Sequence, residues 1–537
     1  MADTLDVAII GGGVSGVYSA WRLKQQNKKR SIVVYEAGNH IGGRLLSVKP
    51  PDIDNMVAEL GGMRILPAVQ PRITKLIDVL NEGAKKGQKI DTYDFPVDEP
   101  ENIAYLRGVH LRLSDFTAHP DKVPYRLSFL EHGQTSGSIL VNAIEQIVPG
   151  ITNPKLNEYQ RRAMARAASF AGKPLWQQGF WNVLARVISN EAFELGVDAG
   201  GYQSTLLNWN AADAIPWFLS DFGVDPEYKA FKKGFQQVPL TLEQRFKDLG
   251  GTVECNKAVL GFQWDAKNKT YAITFRRTKD IVHAKAIILA MPRRALEILG
   301  QQTPLLSDPI ITPLIKSVTP RPLFKLFTTY DNPWWRVAGT NTGSATKPLQ
   351  SGRTVTDLPV RQTYYWPTNE GQPSTSGPSM LMASYDDGTN IGFWDGFRER
   401  RGQGWRDEVK SVTHLERFEG RAQIEESLGT EVWREYAAPK GMVEEVARQL
   451  GIIHGLSYTP QVVDAAFRDW GDDPFGGGWN AWNIGVESWN VIKQIVKPYN
   501  EHSLFICGEA YSDAQGWVEG ALQTADLMLE KWGVGSL

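Results

Sequence analysis

The chemistry-bearing residues of this 537-residue chain are three spaced glycines, an acid further along, and two arginines set beside glycine pairs. The run Val7-Ala8-Ile9-Ile10 is short, apolar and partly β-branched, and reads as a buried strand. Gly11, Gly13 and Gly16 follow in the spacing G-x-G-x-x-G, with Val14 and Ser15 between them. Val17, Ala20, Trp21 and Leu23 then recur at helical spacing, and a second strand, Ser31-Ile32-Val33-Val34-Tyr35, ends at Glu36. Each position has a physical task. The first glycine makes the tight turn, the second lets a pyrophosphate approach the backbone, and the third lets helix and strand pack closely. The helix N-terminus faces the phosphates and the acid accepts hydrogen bonds from a ribose. Strand, helix and acid in this register predict a dinucleotide site. A glutamate at 36, in place of a basic residue, disfavours a 2′-phosphate.

A second group of motifs narrows the choice. Ala37-Gly38-Asn39-His40-Ile41-Gly42-Gly43-Arg44 follows Glu36 directly, and Ala58-Glu59-Leu60-Gly61-Gly62-Met63-Arg64 repeats the pairing of glycines with an arginine. Paired glycines bring backbone close to a ligand, and a guanidinium offers a fork of donors to an anion. Near the far end, Leu504-Phe505-Ile506-Cys507 reads as a strand running into Gly508-Glu509. Gly516-Trp517-Val518-Glu519-Gly520-Ala521 then opens a helical stretch whose N-terminus would present N–H groups and a positive dipole.

The elements that must position these residues are spread along the chain. Gly250-Gly251-Thr252-Val253 and Ala286-Ile287-Ile288-Leu289-Ala290-Met291 read as strands returning to the first sheet, so that domain is discontinuous. The expected division is 1–70, 235–315 and 460–537 for the cofactor domain, 71–120 and 316–459 for a substrate domain, and 121–234 for a helical subdomain. Tyr159 to Ala168 is a strong helix former. The stretch from about 320 to 385 is β-rich, with a Gly/Ser/Pro loop from Asn369 to Pro378. Gly476-Gly477-Gly478-Trp479 reads as a backbone approach to a cofactor, a turn at the substrate entrance, or a plain loop.

Composition sets the outer limits. Hydrophobic residues are 42% and charged residues 22%, which is ordinary for a globular protein and excludes a fully disordered chain. Net charge is −2, so no nucleic-acid partner is expected. No apolar run is long enough to span a membrane, and no amphipathic basic stretch suggests docking to one. The start lacks a basic n-region and an apolar h-region, and the expected location is cytoplasmic. Cys255 and Cys507 make neither a disulfide framework nor a metal cluster, and no metal is expected. The eight histidines form no catalytic or metal-binding pattern. The assembly state is not set by the sequence; a homodimer is among the options.

In combination, Val-Val-Tyr-Glu-Ala…Gly-Gly-Arg and Gly-Glu…Gly-Trp-Val-Glu-Gly-Ala resemble the flavin-containing amine oxidases, and within them the L-amino acid oxidases. The resemblance spans the whole chain. It implies an α/β fold with a discontinuous Rossmann-like FAD-binding domain, a mixed-sheet substrate domain and a helical subdomain. It also implies cofactor contacts at Gly11, Gly13, Val14, Ser15, Gly16, Glu36, Ala37, Gly43, Arg44, Gly61, Gly62, Met63, Arg64, Val259, Glu509, Trp517, Val518 and Ala521. Glu36 would hold the adenosine ribose, Arg44 would sit near the pyrophosphate, and Val259 would flank the adenine. Glu509 would meet the ribitol and Val518 would offer its N–H to the flavin ring. Covalent members carry a cysteine shortly after Gly-Glu; Ala510 to Gln515 holds none, so noncovalent FAD is expected.

An α-amino acid differs from an amine by its carboxylate, and a buried carboxylate must be paired. Arg64 is the expected clamp. Thr363-Tyr364-Tyr365-Trp366-Pro367 resembles the family strand that adds a tyrosine hydroxyl; alternation lets one tyrosine face inward, Tyr364 in preference to Tyr365. Gly516 and Trp517 would border the substrate, Trp517 as one wall of a cage for the amino group. Lys325, a lone charge in the apolar strand Pro322 to Phe327, either faces solvent or, as the resemblance implies, holds a water against flavin N5. The expected reaction is oxidative deamination of an L-amino acid, with hydride passing from Cα to N5. The products are a 2-oxo acid, ammonia and, from O₂, H₂O₂. A monoamine or polyamine oxidase and an amino acid monooxygenase are the rivals on the same fold. A flavin-dependent desaturase or isomerase and a noncatalytic flavin-binding module are more distant ones.

Overall fold

In a computed structural model, which describes residues 4–222, 226–338, 348–398, 430–472 and 477–537, strand β1 (Leu5–Ile10) runs into the glycine turn. Helix α1 (Val14–Gln26) packs back across it, and β2 (Ile32–Tyr35) lies parallel to β1. Both faces of these strands are covered, which is why they carry unbroken apolar runs. Val7, Ile9 and Val34 pack with α1 and with the C-terminal helix Val518–Glu530 on one face. Ala8, Ile10, Val33 and Tyr35 pack on the other.

The long strand Ile281–Ala290 organises the rest of this seven-stranded sheet. One edge pairs parallel with β1 from Leu5 opposite Ala284 to Ile10 opposite Leu289. Its other edge is shared. The first half pairs antiparallel with Thr270–Phe275, and the second half pairs parallel with Leu504–Cys507. Thr252–Glu254 adds parallel to β2, and Val259–Asp265 adds antiparallel to Thr270–Phe275. The start, middle and end of the chain thus meet in one discontinuous Rossmann-like sheet, and the expected α/β fold is the one observed.

A second seven-stranded sheet is mixed. Its order is Asp464–Asp469, Phe324–Tyr330, Ser379–Asp386, Gln362–Tyr365, Arg353–Thr356, Ile103–Leu106 and Val109–Arg112, with one parallel pair between Arg353–Thr356 and Ile103–Leu106. Asp464–Asp469 lies in a stretch that the sequence reading grouped with the cofactor sheet. It pairs with Phe324–Tyr330 instead, and Ala465 and Ala466 are buried on opposite faces of this second sheet.

Between residues 136 and 222 the described residues form helices Ser136–Ile147, Glu158–Ala167, Phe180–Leu184, Asn190–Gly200 and Ala211–Phe222. Glu158–Ala167 starts where its sequence says it must. Asn157 Oδ1 accepts the Gln160 N–H at 2.9 Å, and the Gln160 side chain accepts the Asn157 N–H at 2.9 Å, closing a capping box. Beyond the helices, Lys229–Phe231 pairs with Thr92–Asp94, and Ile65 and Lys229 exchange backbone hydrogen bonds of 2.9 and 3.0 Å. Among the described residues, no helix is long and apolar enough to cross a membrane.

Gly16 sets how closely α1 approaches β1. A Cβ there would fall far inside contact distance of the Gly11 carbonyl oxygen and would press on Ala290. Gly16→Ala is therefore expected to cost on the order of 3 kcal/mol, the upper range for overpacking a tight core, read as a lower denaturation midpoint. A midpoint equal to wild type would show that helix and strand separate freely.

Candidate active site

One cavity is bordered by the carboxyl ends of the first sheet, by one face of the second sheet and by the helix Ala211–Phe222. At its first end lie Gly11, Gly13, Val14 and Ser15. Gly11 has φ +110°, and a Cβ there would strike the Ala290 carbonyl. At Gly13 the nearest atom to a Cβ would be the Gly43 Cα at 4.0 Å, so this position is open for close approach. Gly13 is the N-cap of α1 and no side chain caps the helix. Glu36 lines the same end. Its Oε2 accepts the Gly12 N–H at 2.7 Å and its Oε1 accepts the Gly38 N–H at 2.7 Å, which pins the carboxylate over the glycine turn. Ala37, Gly43 and Val259 border this region. Of the eight histidines, His40 lines the cavity.

At the middle, Arg44 Nη1 donates to Glu509 Oε2 at 2.7 Å and to the Gly478 carbonyl at 3.0 Å. Glu509 is buried, and it also accepts the Asn480 N–H and the Gly516 N–H at 3.0 and 2.7 Å on Oε1, and Asn480 Nδ2 at 3.0 Å on Oε2. Gly61, Gly62 and Met63 lie alongside; a Cβ on Gly61 would overlap the Arg44 carbonyl, so the two glycine–arginine motifs are nested. The helix Val518–Glu530 has Trp517 as N-cap, and Trp517, Val518 and Ala521 line the cavity. Half-buried glycines on the wall of the first end, a helix N-terminus at each end and an ion pair between them suit an extended dinucleotide.

Lys325 does not face solvent. It is 3% exposed, lines the cavity and donates from Nζ to the carbonyls of Glu59 and Gly61 at 3.1 and 2.5 Å. Burial drives its ammonium well below the usual lysine range, the nearby Glu59 charge holds it up, and Arg64 pushes it down. Glu59 is buried and shifted up by desolvation, opposed by hydrogen bonds from Ser47 and the Phe235 N–H and by Lys325. Cross-strand register sets Lys325 between Tyr385 and Arg468, and both neighbours also line the cavity.

Arg64 is 5% exposed and lines the cavity. Its guanidinium lies 3.9 Å over the Tyr228 ring, and Nη1 donates to the Tyr364 hydroxyl at 3.3 Å. Among the described residues it makes no ion pair within 4.0 Å of a carboxylate, although Asp221 lies near enough to attract it. Tyr364 faces Arg64, whereas Tyr365 points to the opposite face, its hydroxyl bonded to Thr354 Oγ1 at 2.6 Å and His454 Nε2 at 2.9 Å. Tyr364 sits behind the arginine and does not border the cavity; Tyr202 and Tyr385 do, edge to face with centroids 5.3 Å apart.

Every residue named from the sequence as a cofactor or substrate contact lines this cavity except Gly16, which spaces α1 from β1, and Tyr364. The sequence did not single out Trp217, Trp470, Tyr202, Tyr385 or Asp221, and left Trp479 in an undecided glycine segment. Trp217 and Trp479 stack with centroids 5.5 Å apart and planes within 10°, and Trp209 meets both edge-on. Gly478 and Trp479 border the cavity; Gly476 lies outside the described residues. Neither cysteine lines it, and burial pushes both thiols up to about 12.

Comparison with known proteins agrees with this geometry. The family model described as flavin containing amine oxidoreductase matches residues 14–419. Aplysianin-A of Aplysia kurodai is 26% identical over 99% of this chain and 91% of its own length. Achacin of Lissachatina fulica is 24% identical over 98% and 93%. An L-amino-acid oxidase of Sistrurus catenatus edwardsii is 24% identical over 72% and 67%. A solved structure of putrescine oxidase bound to putrescine shares the fold, with a TM-score of 0.62 over 99% of both chains at 16% identity. The chain is a member of the flavin-containing amine oxidoreductase family and uses FAD.

Proposed function

We propose that this protein oxidatively deaminates L-amino acids to 2-oxo acids, releasing ammonia and H₂O₂. The observation that carries the reading is Arg64, a buried guanidinium on the cavity wall whose charge is matched by no ion-paired carboxylate of the described chain. Such a charge is stable when a ligand anion completes it. A carboxylate fits the guanidinium fork and a simple amine does not. The relative from Sistrurus catenatus edwardsii, named as an L-amino-acid oxidase, supports the same class.

Bound FAD, held noncovalently, supplies the electron acceptor. Glu36 receives the adenosine ribose, Val259 flanks the adenine, and the α1 N-terminus with Gly13 and Gly43 receives the pyrophosphate. Arg44 stands by the phosphates while paired to Glu509, and Glu509 with the Val518 N–H faces the ribitol and ring end. Arg64 takes the substrate carboxylate. Tyr385, on the cavity wall beside Lys325, is better placed than Tyr364 to add a hydroxyl, and Tyr364 steadies the arginine from behind. Trp517 and Trp479 would wall off bulk water from the reacting carbon, and Lys325 would hold a single water against the flavin.

A panel of the twenty L-amino acids and their D-enantiomers, scored for peroxide, ammonia and amide, is expected to give peroxide and ammonia in equal amounts from L-amino acids. Amide as the main product would identify a monooxygenase, and turnover of carboxylate-free amines alone would identify an amine oxidase. Arg64→Ala should lower kcat/KM for amino acids by on the order of 3 kcal/mol or more, the loss of a buried charged contact. Unchanged kinetics would remove the clamp.

The pH profile tests Lys325. Burial lowers its proton affinity and the Glu59 charge opposes that. Glu59→Gln removes the opposing charge and keeps an acceptor for Ser47, so Lys325 should lose its proton at still lower pH. The inflection of kcat/KM that belongs to Lys325 is expected to move to lower pH in Glu59→Gln and to vanish in Lys325→Met. An inflection that stays in place in both variants would assign it to another group.

A further inference from the structure

The way Arg64 is held has a consequence for how it recognises an anion. A buried arginine is ordinarily fixed by a carboxylate, which occupies the donor fork. Here the support comes from a ring face. The guanidinium carbon lies 3.9 Å from the centroid of Tyr228. The Tyr228 hydroxyl in turn donates to Asp221 Oδ1 at 2.9 Å and to the Asp221 carbonyl at 2.7 Å. Both residues are buried, and Asp221 borders the cavity at the end of the helix Ala211–Phe222. The exchange of hydrogen bonds between Ile65 and Lys229 locks the backbone that carries Arg64 to the backbone that carries Tyr228.

We propose that Tyr228 and Asp221 are positioning residues for the anion clamp, a role that rests on the amino-acid reading above. A ring face steadies a guanidinium plane through its quadrupole and uses none of the in-plane N–H groups. Of the five donors of Arg64, one is engaged by Tyr364, and no nitrogen of this guanidinium is both sealed from the cavity and unpartnered. Arg64 borders the cavity, so its remaining donors are available to a carboxylate that enters it. Asp221 supplies the counter-charge at one remove, through the phenol. It keeps the empty clamp tolerable without closing it, and its charge competes weakly with an arriving anion. The sequence hid this arrangement, because Tyr228 lies 164 positions from Arg64 and no motif surrounds it.

The test titrates benzoate into the FAD-loaded enzyme, read by flavin absorbance, and measures KM and kcat with the best amino acid of the panel. Arg64→Ala is the reference and should abolish benzoate binding; if it binds benzoate as wild type does, the amino-acid reading falls and this inference falls with it. With that reference in place, Tyr228→Leu should raise the benzoate Kd and the amino-acid KM tenfold or more together, while kcat at saturation stays within threefold. Tyr228→Phe keeps the ring and should stay within threefold of wild type in Kd. Asp221→Asn keeps an acceptor for the phenol and removes the competing charge, so benzoate should bind threefold or more tightly. FAD content and the denaturation midpoint establish that each variant is folded. Three results overturn the proposal: a folded Tyr228→Leu enzyme with Kd within twofold of wild type, a Tyr228→Phe loss as large as that of Tyr228→Leu, or an Asp221→Asn enzyme whose Kd is unchanged or higher. Should Tyr228→Leu not fold, the sign of the Asp221→Asn effect decides alone.

Discussion

A single buried carboxylate joins the distant parts of this chain. Glu509 follows the last strand of the first sheet and accepts four hydrogen bonds, from Arg44, from the backbone and side chain of Asn480, and from Gly516. A carboxylate withdrawn from water is stable only when its oxygens are fully occupied. These donors come from the glycine–arginine loop after β2, from the strand Trp479–Trp482 and from the turn before the C-terminal helix. Each must be in place for the charge to be buried. Satisfying Glu509 thereby fixes the middle of the cavity, and it does so with residues separated by up to 465 positions.

The other charges of the cavity are treated differently, and the differences are chemical. Arg44 has an acid of its own and stays partly exposed at the cavity edge, so it adds a positive edge without a large unbalanced charge. Lys325 is given backbone carbonyls, which hold an amine in place but neutralise nothing. Arg64 is given a ring face and a hydroxyl. Pairing falls off along the cavity from Arg44, which meets Glu509, to Arg64, which meets a ring face and a hydroxyl. Balanced charge thus sits where distant parts of the scaffold meet, at Arg44 and Glu509, and the charge without an ion pair sits at Arg64 on the cavity wall.

Much of the cofactor half was legible in the sequence. The glycines, Glu36 and the two glycine–arginine motifs act through backbone geometry over short spans, and such requirements are written locally. Gly11 needs its positive φ whatever the rest of the chain does. The tyrosine pair at 364 and 365 was partly legible. Strand alternation separated the two faces correctly, yet it could not reveal that the residue turned toward Arg64 would stand behind the guanidinium rather than at the cavity wall. Lys325 was ambiguous for a similar reason: a lone charge in an apolar strand has two possible environments, and only the position of the Glu59 to Gly61 carbonyls selects the buried one.

What the sequence determined by itself is therefore the family, the α/β architecture with its discontinuous sheet and FAD as cofactor, because each depends on patterns that a few neighbouring residues complete. What only the tertiary structure decided is the surroundings of Arg64 and Lys325: Tyr202, Trp217 and Asp221 from the helical segment, Tyr385 from the second sheet, Trp479 after its glycines, and Tyr228 under the guanidinium. These side chains share no spacing and no motif. They are neighbours because two sheets and a helix must bury their apolar faces against one another, and the space left where those faces meet sets which residues line the cavity.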